Sequence, residues 1–187
     1  MPGVEVKLGD GGELLAHGGN VMQGYWRNPE ATRTSIDVEG WLHTGDIAEI
    51  REGRIYIRGR LKDVLVMSNG EKLPPQDVEF AIAHDPMFEQ VMLLGEGRPF
   101  LTLLTVTRET DEKKLLDRAN QLLKNFPRWV RIRKVIATQD PWSIDNGLLT
   151  PTLKLKRPLV LARFKDAVDR AYAGEGAAVS EAGKTRR

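Results

Sequence analysis

The chain contains no cysteine, and its 187 residues include only three histidines. The absence of cysteine excludes disulfides, thiolate nucleophiles and cysteine-ligated metals. The histidines, His17, His43 and His84, lack the spacing of metal ligands, so we predict no metal site in this chain.

Long apolar segments are missing as well. No segment approaches the roughly 20 apolar residues that a membrane-spanning helix needs. Residues 1–5 lack the basic and apolar regions of a signal peptide. We therefore expect a cytoplasmic protein without a transmembrane segment, which leaves peripheral membrane association open.

Neither sign of charge dominates the composition. Lysine and arginine number 28 against 26 aspartate and glutamate, which gives a net charge of +2. Nucleic-acid binding requires basic residues clustered on one face. Because only the stretch 128–134 comes near such a cluster, we predict no nucleic-acid partner.

Residues 1–61 form a glycine-rich region of short alternating segments. Glu52-Gly53 fits a hairpin turn, and Asn28 followed by Pro29 is typical of a helix N-cap and first helical position. The region has few apolar residues for a core of its own, so we expect it to pack against something else. The predicted strands are 13–16, 47–50 and 54–58.

From residue 62 onward, strands alternate with longer helices. We predict a compact α/β domain at 62–173, with a central sheet flanked by helices, and a disordered tail at 174–187. The fold class of the whole chain is therefore α+β. The predicted strands are 64–67, 91–94, 100–106 and 130–137, and the predicted helices are 76–84, 111–125 and 158–173. One side of the last helix is predicted to carry Leu161, Phe164, Val168 and Ala171.

Four segments could carry chemistry, and their order matters more than any one of them. The second reads Gly-Trp-Leu-His-Thr-Gly-Asp at 40–46, and the fourth contains Leu-Thr-Pro-Thr-Leu-Lys at 149–154. An isolated Thr-Gly-Asp is weak evidence, whereas four motifs in sequence are strong evidence. The four segments are 12–15 with 21–26 and 28–32, then 40–46, then 59–64 with 68–72, and finally 146–157.

This ordered set, from about residue 3 to residue 172, resembles the later motifs of the adenylate-forming superfamily. That superfamily includes acyl-CoA synthetases, luciferases and the adenylation domains of peptide synthetases. The Thr-Pro-Thr-Leu-Lys form is most similar to the long-chain acyl-CoA synthetases, of bacterial type. The resemblance implies that residues 1–61 end the large AMP-binding domain and that residues 62–173 form its C-terminal lid domain.

Two residues are implicated in nucleotide binding. By chemistry alone, Asp46 could be a turn residue and Arg60 a solvated strand-end side chain. A carboxylate also accepts hydrogen bonds from the hydroxyls of a ribose, and a guanidinium suits ribose oxygens and phosphates. The resemblance implies that Asp46 and Arg60 bind the ribose edge of ATP or AMP.

The resemblance also implies a hinge and a CoA site. Lys62 corresponds to the hinge about which the lid domain rotates, although its sequence context reads equally as an exposed charged link. Ser68, Asn69 and Gly70 would otherwise form an ordinary turn between a strand and a helix. Their place in the family is beside the pantetheine channel of CoA.

Lys154 is the candidate catalytic residue. Its ammonium would offset the negative charge that develops between carboxylate and α-phosphate. Lys156 competes for this role, because Leu153 replaces the glycine that usually precedes the catalytic lysine. The alternative is that Lys154, Lys156 and Arg157 form a basic cluster that only faces water.

The implied enzyme converts a fatty acid, ATP and CoA to acyl-CoA, AMP and diphosphate through an acyl-adenylate. In the family, the phosphate-binding loop, the Mg²⁺ site and the acyl pocket belong to the N-terminal adenylation domain. Nothing similar to that loop occurs here, so we expect this chain to be inactive alone, to bind no Mg²⁺ and to need that domain as its partner. Two alternatives are an adenylation domain that loads a carrier-protein thiol and a module that binds CoA or a partner without catalysis.

Overall fold

A computed structural model describes residues 3–173 of the protein. The chain divides into two compact units. The first runs to Val64 and also includes Leu73–Asp77, and the second contains Leu65–Lys72 and continues from Val78. The domain boundary that the sequence predicts between residues 61 and 62 stays a prediction, and the predicted tail at 174–187 lies outside the described residues.

The first unit is built on an antiparallel sheet with the strand order β1-β2-β3-β4. A helix, α1, lies between β2 and β3 in the chain, and its N-cap Asn28 accepts a hydrogen bond from the Ala31 N–H at 3.0 Å. The predicted strands, the hairpin turn and the cap are confirmed, whereas β1 was missed although Val4, Val6 and Leu8 alternate with charged residues. The elements are β1 (Val4–Leu8), β2 (Glu13–Gly18), α1 (Pro29–Ser35), β3 (Leu42–Arg51) and β4 (Arg54–Arg60).

The core of this unit is small. Within β1–β4, the buried apolar side chains are Leu15 and Ala48. Many other large apolar side chains of the unit are exposed, as the shortage of core residues predicts. They are Val6, Leu8, Tyr25, Trp26, Val38, Ile50, Ile55, Tyr56, Ile57 and Leu61.

The second unit contains a three-stranded sheet with the order β7-β8-β9. The β7–β8 pairing is antiparallel and the β8–β9 pairing is parallel, with a helix as the connection between β8 and β9. The predicted α+β class, with a central sheet flanked by helices, is confirmed. The elements from Leu65 on are β5 (Leu65–Val66), β6 (Lys72–Leu73), α2 (Pro75–Ala83), β7 (Gln90–Leu94), β8 (Leu101–Val106), α3 (Glu112–Leu122), β9 (Ile132–Thr138), α4 (Arg157–Arg163) and α5 (Lys165–Tyr172).

The core of the second unit is built around β8, all six residues of which are buried. A strand buried along its whole length must be covered on both faces. Val78 and Ile82 of α2 are fully buried, as their spacing predicts, and so are Leu115 and Ala119 of α3. One cluster of the core joins the sheet to the last two helices and contains Met92, Leu94, Phe100, Leu104, Val106, Trp142, Leu148, Val160, Val168 and Tyr172.

The predicted helix at 158–173 was wrong as a single element. The chain forms α4 and α5, separated at Phe164, where φ is −101° and ψ is 15°. The buried side carries Val160, Val168 and Tyr172, whereas Leu161 is 40% exposed. The inward face therefore follows a spacing of four residues that begins at Val160 and includes Phe164, which packs against the core cluster. The predicted face, which began at Leu161, was shifted from it.

Other boundaries also differ from the prediction. Helix α3 ends at Leu122 rather than 125, because Leu123 leaves helical geometry as the C-cap. The strand predicted at 64–67 is reduced to β5, and residues 61–63 form a 3₁₀ turn. Across residues 3–173, none of the helices has both the length and the apolar character that spanning a membrane requires.

Candidate functional site

The Thr-Gly-Asp segment lies on β3 and is fixed by a buried glutamate of β2. Glu13, 9% exposed, accepts a hydrogen bond from the Gly45 N–H through Oε1 at 2.9 Å. Its other oxygen accepts one from Nδ1 of His43, also at 2.9 Å. Thr44 Oγ1 donates to the Leu14 carbonyl at 2.7 Å and accepts from the Asp46 N–H at 3.1 Å. Thr44 and Gly45 are therefore fixed by hydrogen bonds to β2, and the Asp46 N–H is fixed by the Thr44 hydroxyl.

A turn at Asp37 leads the chain into this segment. Asp37 Oδ1 accepts hydrogen bonds from the N–H groups of Glu39 and Trp41, both at 2.9 Å. The bond from the Trp41 N–H is the main reason why the pKa of Asp37 lies below its ordinary value, and the nearby His43 lowers it further. Gly40 has φ of +87°, a left-handed conformation that favours glycine in this turn.

The structure brings together the two residues implicated in nucleotide binding. Asp46 and Arg60 are paired in register across β3 and β4. Arg60 Nε lies 2.8 Å from Asp46 Oδ1, and an Arg60 terminal nitrogen lies 3.4 Å from the Thr44 carbonyl. The side chains are 27% exposed for Asp46 and 51% for Arg60, so a ligand can reach both.

Lys62 lies in the 3₁₀ turn Leu61–Asp63 that follows β4, two residues before the division of the chain into its two units. The turn buries none of its residues. Its position and exposure are compatible with the predicted hinge, which stays a prediction.

Ser68, Asn69 and Gly70 form the exposed turn between β5 and β6. The Ser68 N–H donates to the Arg98 carbonyl at 3.0 Å, and Asn69 Oδ1 accepts from the Glu71 N–H at 3.1 Å. Gly70 has φ of +85°, a left-handed conformation, so the turn alone accounts for a glycine at this position. The predicted CoA contact stays a prediction.

Lys154 lies near the tip of a small hairpin-like loop formed by residues 148–156. Leu149 and Leu155 form an isolated antiparallel bridge across the loop. The Thr150 N–H donates to the Lys154 carbonyl at 2.8 Å, and Thr150 Oγ1 accepts from the Lys154 N–H at 3.0 Å. Within the described residues the Lys154 side chain makes no ion pair, and it is exposed. We call residues 148–156 the Lys154 loop.

Leu153 adopts a backbone conformation that glycine favours. Its φ is +59°, and its side chain is 70% exposed. A left-handed conformation costs a leucine roughly 1–2 kcal/mol relative to glycine. The residue before Lys154 therefore has glycine-like geometry without being glycine, which favours Lys154 over Lys156 as the catalytic candidate.

The three basic residues of this segment do not form one solvated cluster. Arg157 is half-buried and pairs with Glu79, with 2.7 Å between a terminal guanidinium nitrogen and Glu79 Oε1. The alternative that all three only face water is wrong for Arg157. Sequence reasoning assigned no role to Glu79 or to Glu13. Glu13 could have been found from the alternation of β2, because it lies on the same face of the strand as the buried Leu15.

The chain belongs to the family of AMP-binding enzyme C-terminal domains, which matches residues 62–176. Among curated relatives, a long-chain-fatty-acid–CoA ligase of Mus musculus is 32% identical and covers 92% of this chain. The corresponding ligase of Mycobacterium tuberculosis is 30% identical over 92% of the chain. A chloroplastic long-chain-fatty-acid–[acyl-carrier-protein] ligase of Arabidopsis thaliana is 30% identical over 88%. The chain spans 30%, 33% and 26% of the lengths of these relatives.

Solved structures of adenylate-forming enzymes show the same fold. The adenylation domain of a carboxylic acid reductase from Segniliparus rugosus, in complex with AMP and a co-purified carboxylic acid, matches with a TM-score of 0.82 and 27% identity. The match covers 92% of this chain and 32% of that chain. ATP-bound MatB from Rhodopseudomonas palustris matches with a TM-score of 0.68 and 25% identity over 89% of this chain and 35% of its own.

Proposed function

We propose that this chain is the C-terminal part of an ATP-dependent long-chain fatty acid–CoA ligase. The complete ligase, meaning this chain together with its adenylation domain, joins the fatty acid to AMP with release of diphosphate. It then transfers the acyl group to CoA with release of AMP. The observation that carries the proposal is the Lys154 loop, in which an exposed ammonium, without an ion pair among residues 3–173, follows a residue with glycine-like geometry.

The nucleotide would be held at its ribose by Asp46 and Arg60. Arg60 approaches Oδ1 of Asp46, and a carboxylate has enough lone pairs to accept hydrogen bonds from a ribose hydroxyl at the same time. The guanidinium fixes the orientation of the carboxylate through the 2.8 Å contact. These groups supply one edge of a nucleotide site, so we expect the chain alone to bind AMP weakly.

Lys154 would act in the first half-reaction. As the carboxylate attacks the α-phosphate, negative charge accumulates on the oxygens around phosphorus. An ammonium placed there stabilises that charge more than it stabilises the separate substrates, which lowers the barrier. Its exposure lets the side chain enter a site formed by another domain.

CoA would pass the turn at Ser68, Asn69 and Gly70 in the second half-reaction. The turn is exposed, and the Ser68 hydroxyl can donate to or accept from an amide of the pantetheine arm. Lys62 would serve as the hinge between the two half-reactions. Residues 3–173 contain no cluster of three or more acidic or histidine side chains that could hold a metal.

The test measures each half-reaction of the complete ligase separately. Lys154→Ala should slow formation of the acyl-adenylate about a hundred- to a thousand-fold, the cost of removing one charge-stabilising contact. Fatty-acid-dependent ATP–diphosphate exchange measures this step. Lys156→Ala is the matched control, two residues away, and should have a far smaller effect. If Lys156→Ala is the more damaging variant, the assignment to Lys154 is wrong.

Lys62→Pro and Asn69→Ala test the second half-reaction in the same enzyme. Proline fixes φ near −65° and removes a backbone donor, so it should restrict a hinge. Lys62→Pro should lower thioester formation from supplied acyl-adenylate more than it lowers adenylation, and Asn69→Ala should raise the KM for CoA. Equal loss in both half-reactions, in a folded Lys62→Pro enzyme, would argue against the hinge.

A carrier-protein thiol is the second candidate acceptor. The Arabidopsis relative is named for an acyl-carrier protein, and a structure of the reductase from Segniliparus rugosus contains an adenylation domain joined to a peptidyl carrier domain. Assays that offer CoA or a phosphopantetheinylated acyl-carrier protein to preformed acyl-adenylate separate the two acceptors. A module that only binds a partner would support neither transfer.

A further inference from the structure

Arg157 is bound to the edge of the central sheet of the second unit. One terminal nitrogen of its guanidinium donates to Glu79 Oε1 at 2.7 Å, and the other donates to the Leu93 carbonyl at 2.8 Å. The Leu93 N–H donates to the same Glu79 oxygen at 2.7 Å. The three residues thus form a closed ring of hydrogen bonds, which we call the Arg157 clamp.

The clamp satisfies the free edge of β7. This strand pairs only with β8 in its sheet, so backbone groups on its other side need partners from outside the sheet. Leu93 is fully buried, and the side chains of Arg157 and Glu79 are 22% and 15% exposed. Water is therefore a poor substitute for either partner, and a bidentate guanidinium fits the two acceptors better than an ammonium would.

The clamp lies at the base of the Lys154 loop. Arg157 is the first residue of α4, and the preceding Lys156 N–H donates to the Leu148 carbonyl at 2.9 Å. Leu148 is buried in the core cluster of the second unit. Both ends of the loop are thus fixed at this base, and only two residues separate Arg157 from Lys154. Thr150 and Lys154, near the tip, are joined by hydrogen bonds within the loop, whereas Leu149 and Leu155, nearer the base, pack against the core cluster.

We infer that Arg157 and Glu79 are positioning residues for Lys154. By fixing the point at which the Lys154 loop joins α4, the clamp sets where the ammonium of Lys154 can reach. This inference rests on the proposed function for its effect on catalysis. Its structural part, the ordering of the Lys154 loop, is independent of that function.

Limited proteolysis of this chain tests the structural part. Trypsin cleaves after Lys154 only when the loop opens, and the rate follows the open population when reclosing is fast. Arg157→Gln and Glu79→Gln should raise cleavage of the Lys154–Leu155 bond by about ten-fold, as followed by mass spectrometry. Arg163→Gln is the matched control, because Arg163 lies on the same helix, is half-exposed and lies 3.9 Å from Asp140.

Arg157→Lys keeps the charge but loses the two-pronged contact. If Arg157→Gln does not fold, Arg157→Lys takes its place as the test variant. It should also raise cleavage after Lys154. Unchanged cleavage at Lys154 in these variants would overturn the inference. An equal increase at every lysine and arginine would also overturn it, because it would mean general destabilisation of the unit.

A double-mutant cycle in the complete ligase tests the catalytic part. Arg157→Lys should lower the adenylation rate at saturating substrate by about ten- to a hundred-fold with little change in the KM for ATP, since a small misplacement of a catalytic group is costly. Combined with Lys154→Ala, it should add almost nothing. Additive losses would mean that Arg157 does not act through Lys154, whereas a silent Lys154→Ala would overturn the proposed function and leave the proteolysis result standing.

Discussion

Strands β4 and β8 both carry large apolar side chains but have opposite surroundings. In β4, Ile55, Tyr56 and Ile57 are 42%, 42% and 55% exposed. In β8, no residue is more than 4% exposed between Leu101 and Val106, where even Thr102 and Thr105 are fully buried. The two strands differ in position, because β4 is an edge strand of its sheet and β8 is central.

The difference shows what each unit can stabilise by itself. The second unit buries β8 along its whole length, with buried side chains of its own helices in the same core. The first unit leaves contiguous apolar side chains uncovered, a pattern that marks interaction surfaces. This agrees with our proposal that an adenylation domain completes the first unit, and with the chain's coverage of about a third or less of its relatives.

The same truncation in the two sheets gives the sharpest test of this contrast. Leu104→Ala should destabilise the second unit by about 2–5 kcal/mol, because it removes a fully buried side chain and leaves a cavity. Leu8→Ala removes an equal volume from a side chain that is 42% exposed and should change stability by less than about 0.5 kcal/mol.

Urea denaturation and segment-resolved hydrogen exchange measure both variants. Faster exchange should be confined to the second unit in Leu104→Ala. A large loss of stability from Leu8→Ala in this chain would break the comparison, since it would mean that the β1–β4 sheet has a core of its own.

Acid titration gives a smaller effect. Asp85 is 8% exposed, accepts the Met87 N–H at 3.0 Å and pairs with Arg118, whose Nε lies 2.7 Å from Oδ2. The Met87 bond, followed by Arg118, lowers the pKa of Asp85 below its ordinary value of 3.8. A lowered folded-state pKa stabilises the fold above the unfolded-state value, and this contribution is lost as the pH falls below about 4.

Asp85→Asn should therefore cost roughly 1–3 kcal/mol at pH 7 and flatten the fall of stability below pH 4. Glu49 is the control in the first unit. The side-chain hydrogen bond from Arg58 also lowers the pKa of Glu49, but the side chains of that pair are 33% and 42% exposed, against 8% for Asp85. Glu49→Gln should leave the pH dependence nearly unchanged, as measured by urea denaturation at pH 3 to 7. An unchanged profile in Asp85→Asn would contradict the assignment.

Local patterns predicted most elements of the fold. The Asn28-Pro29 start of α1, the Glu52-Gly53 turn and the buried face of α2 follow from residue type and spacing alone. The break at Phe164 did not, because nothing in that sequence forbids a continuous helix. There, packing of α4 and α5 on the core overrode local preference.

The candidate site was predictable as motifs but not as contacts. Asp46, Arg60 and Lys154 were named from the resemblance, and the structure places the first two in contact. Glu13 accepts a hydrogen bond from the Gly45 N–H, 32 residues away in the chain. Glu79 accepts one from the Leu93 N–H, 14 residues away, and Arg157 donates one to the Leu93 carbonyl, 64 residues away. Such long-range partners are decided by topology, which spacing within a motif does not reveal.

The parallel pairing of β8 with β9 also has a kinetic consequence. The four strands of the first sheet join neighbours in the chain, although α1 intervenes once, whereas β8 meets β9 only after a crossover through α3. Parallel strands cannot be joined by a tight turn, and the contacts between β8 and β9 form only after the chain has closed this crossover, so their pairing is expected to be slow. Within the second unit, β7 and β8 are therefore the most favourable nucleus, because they are an antiparallel pair close in the chain, and β9 is expected to join them later.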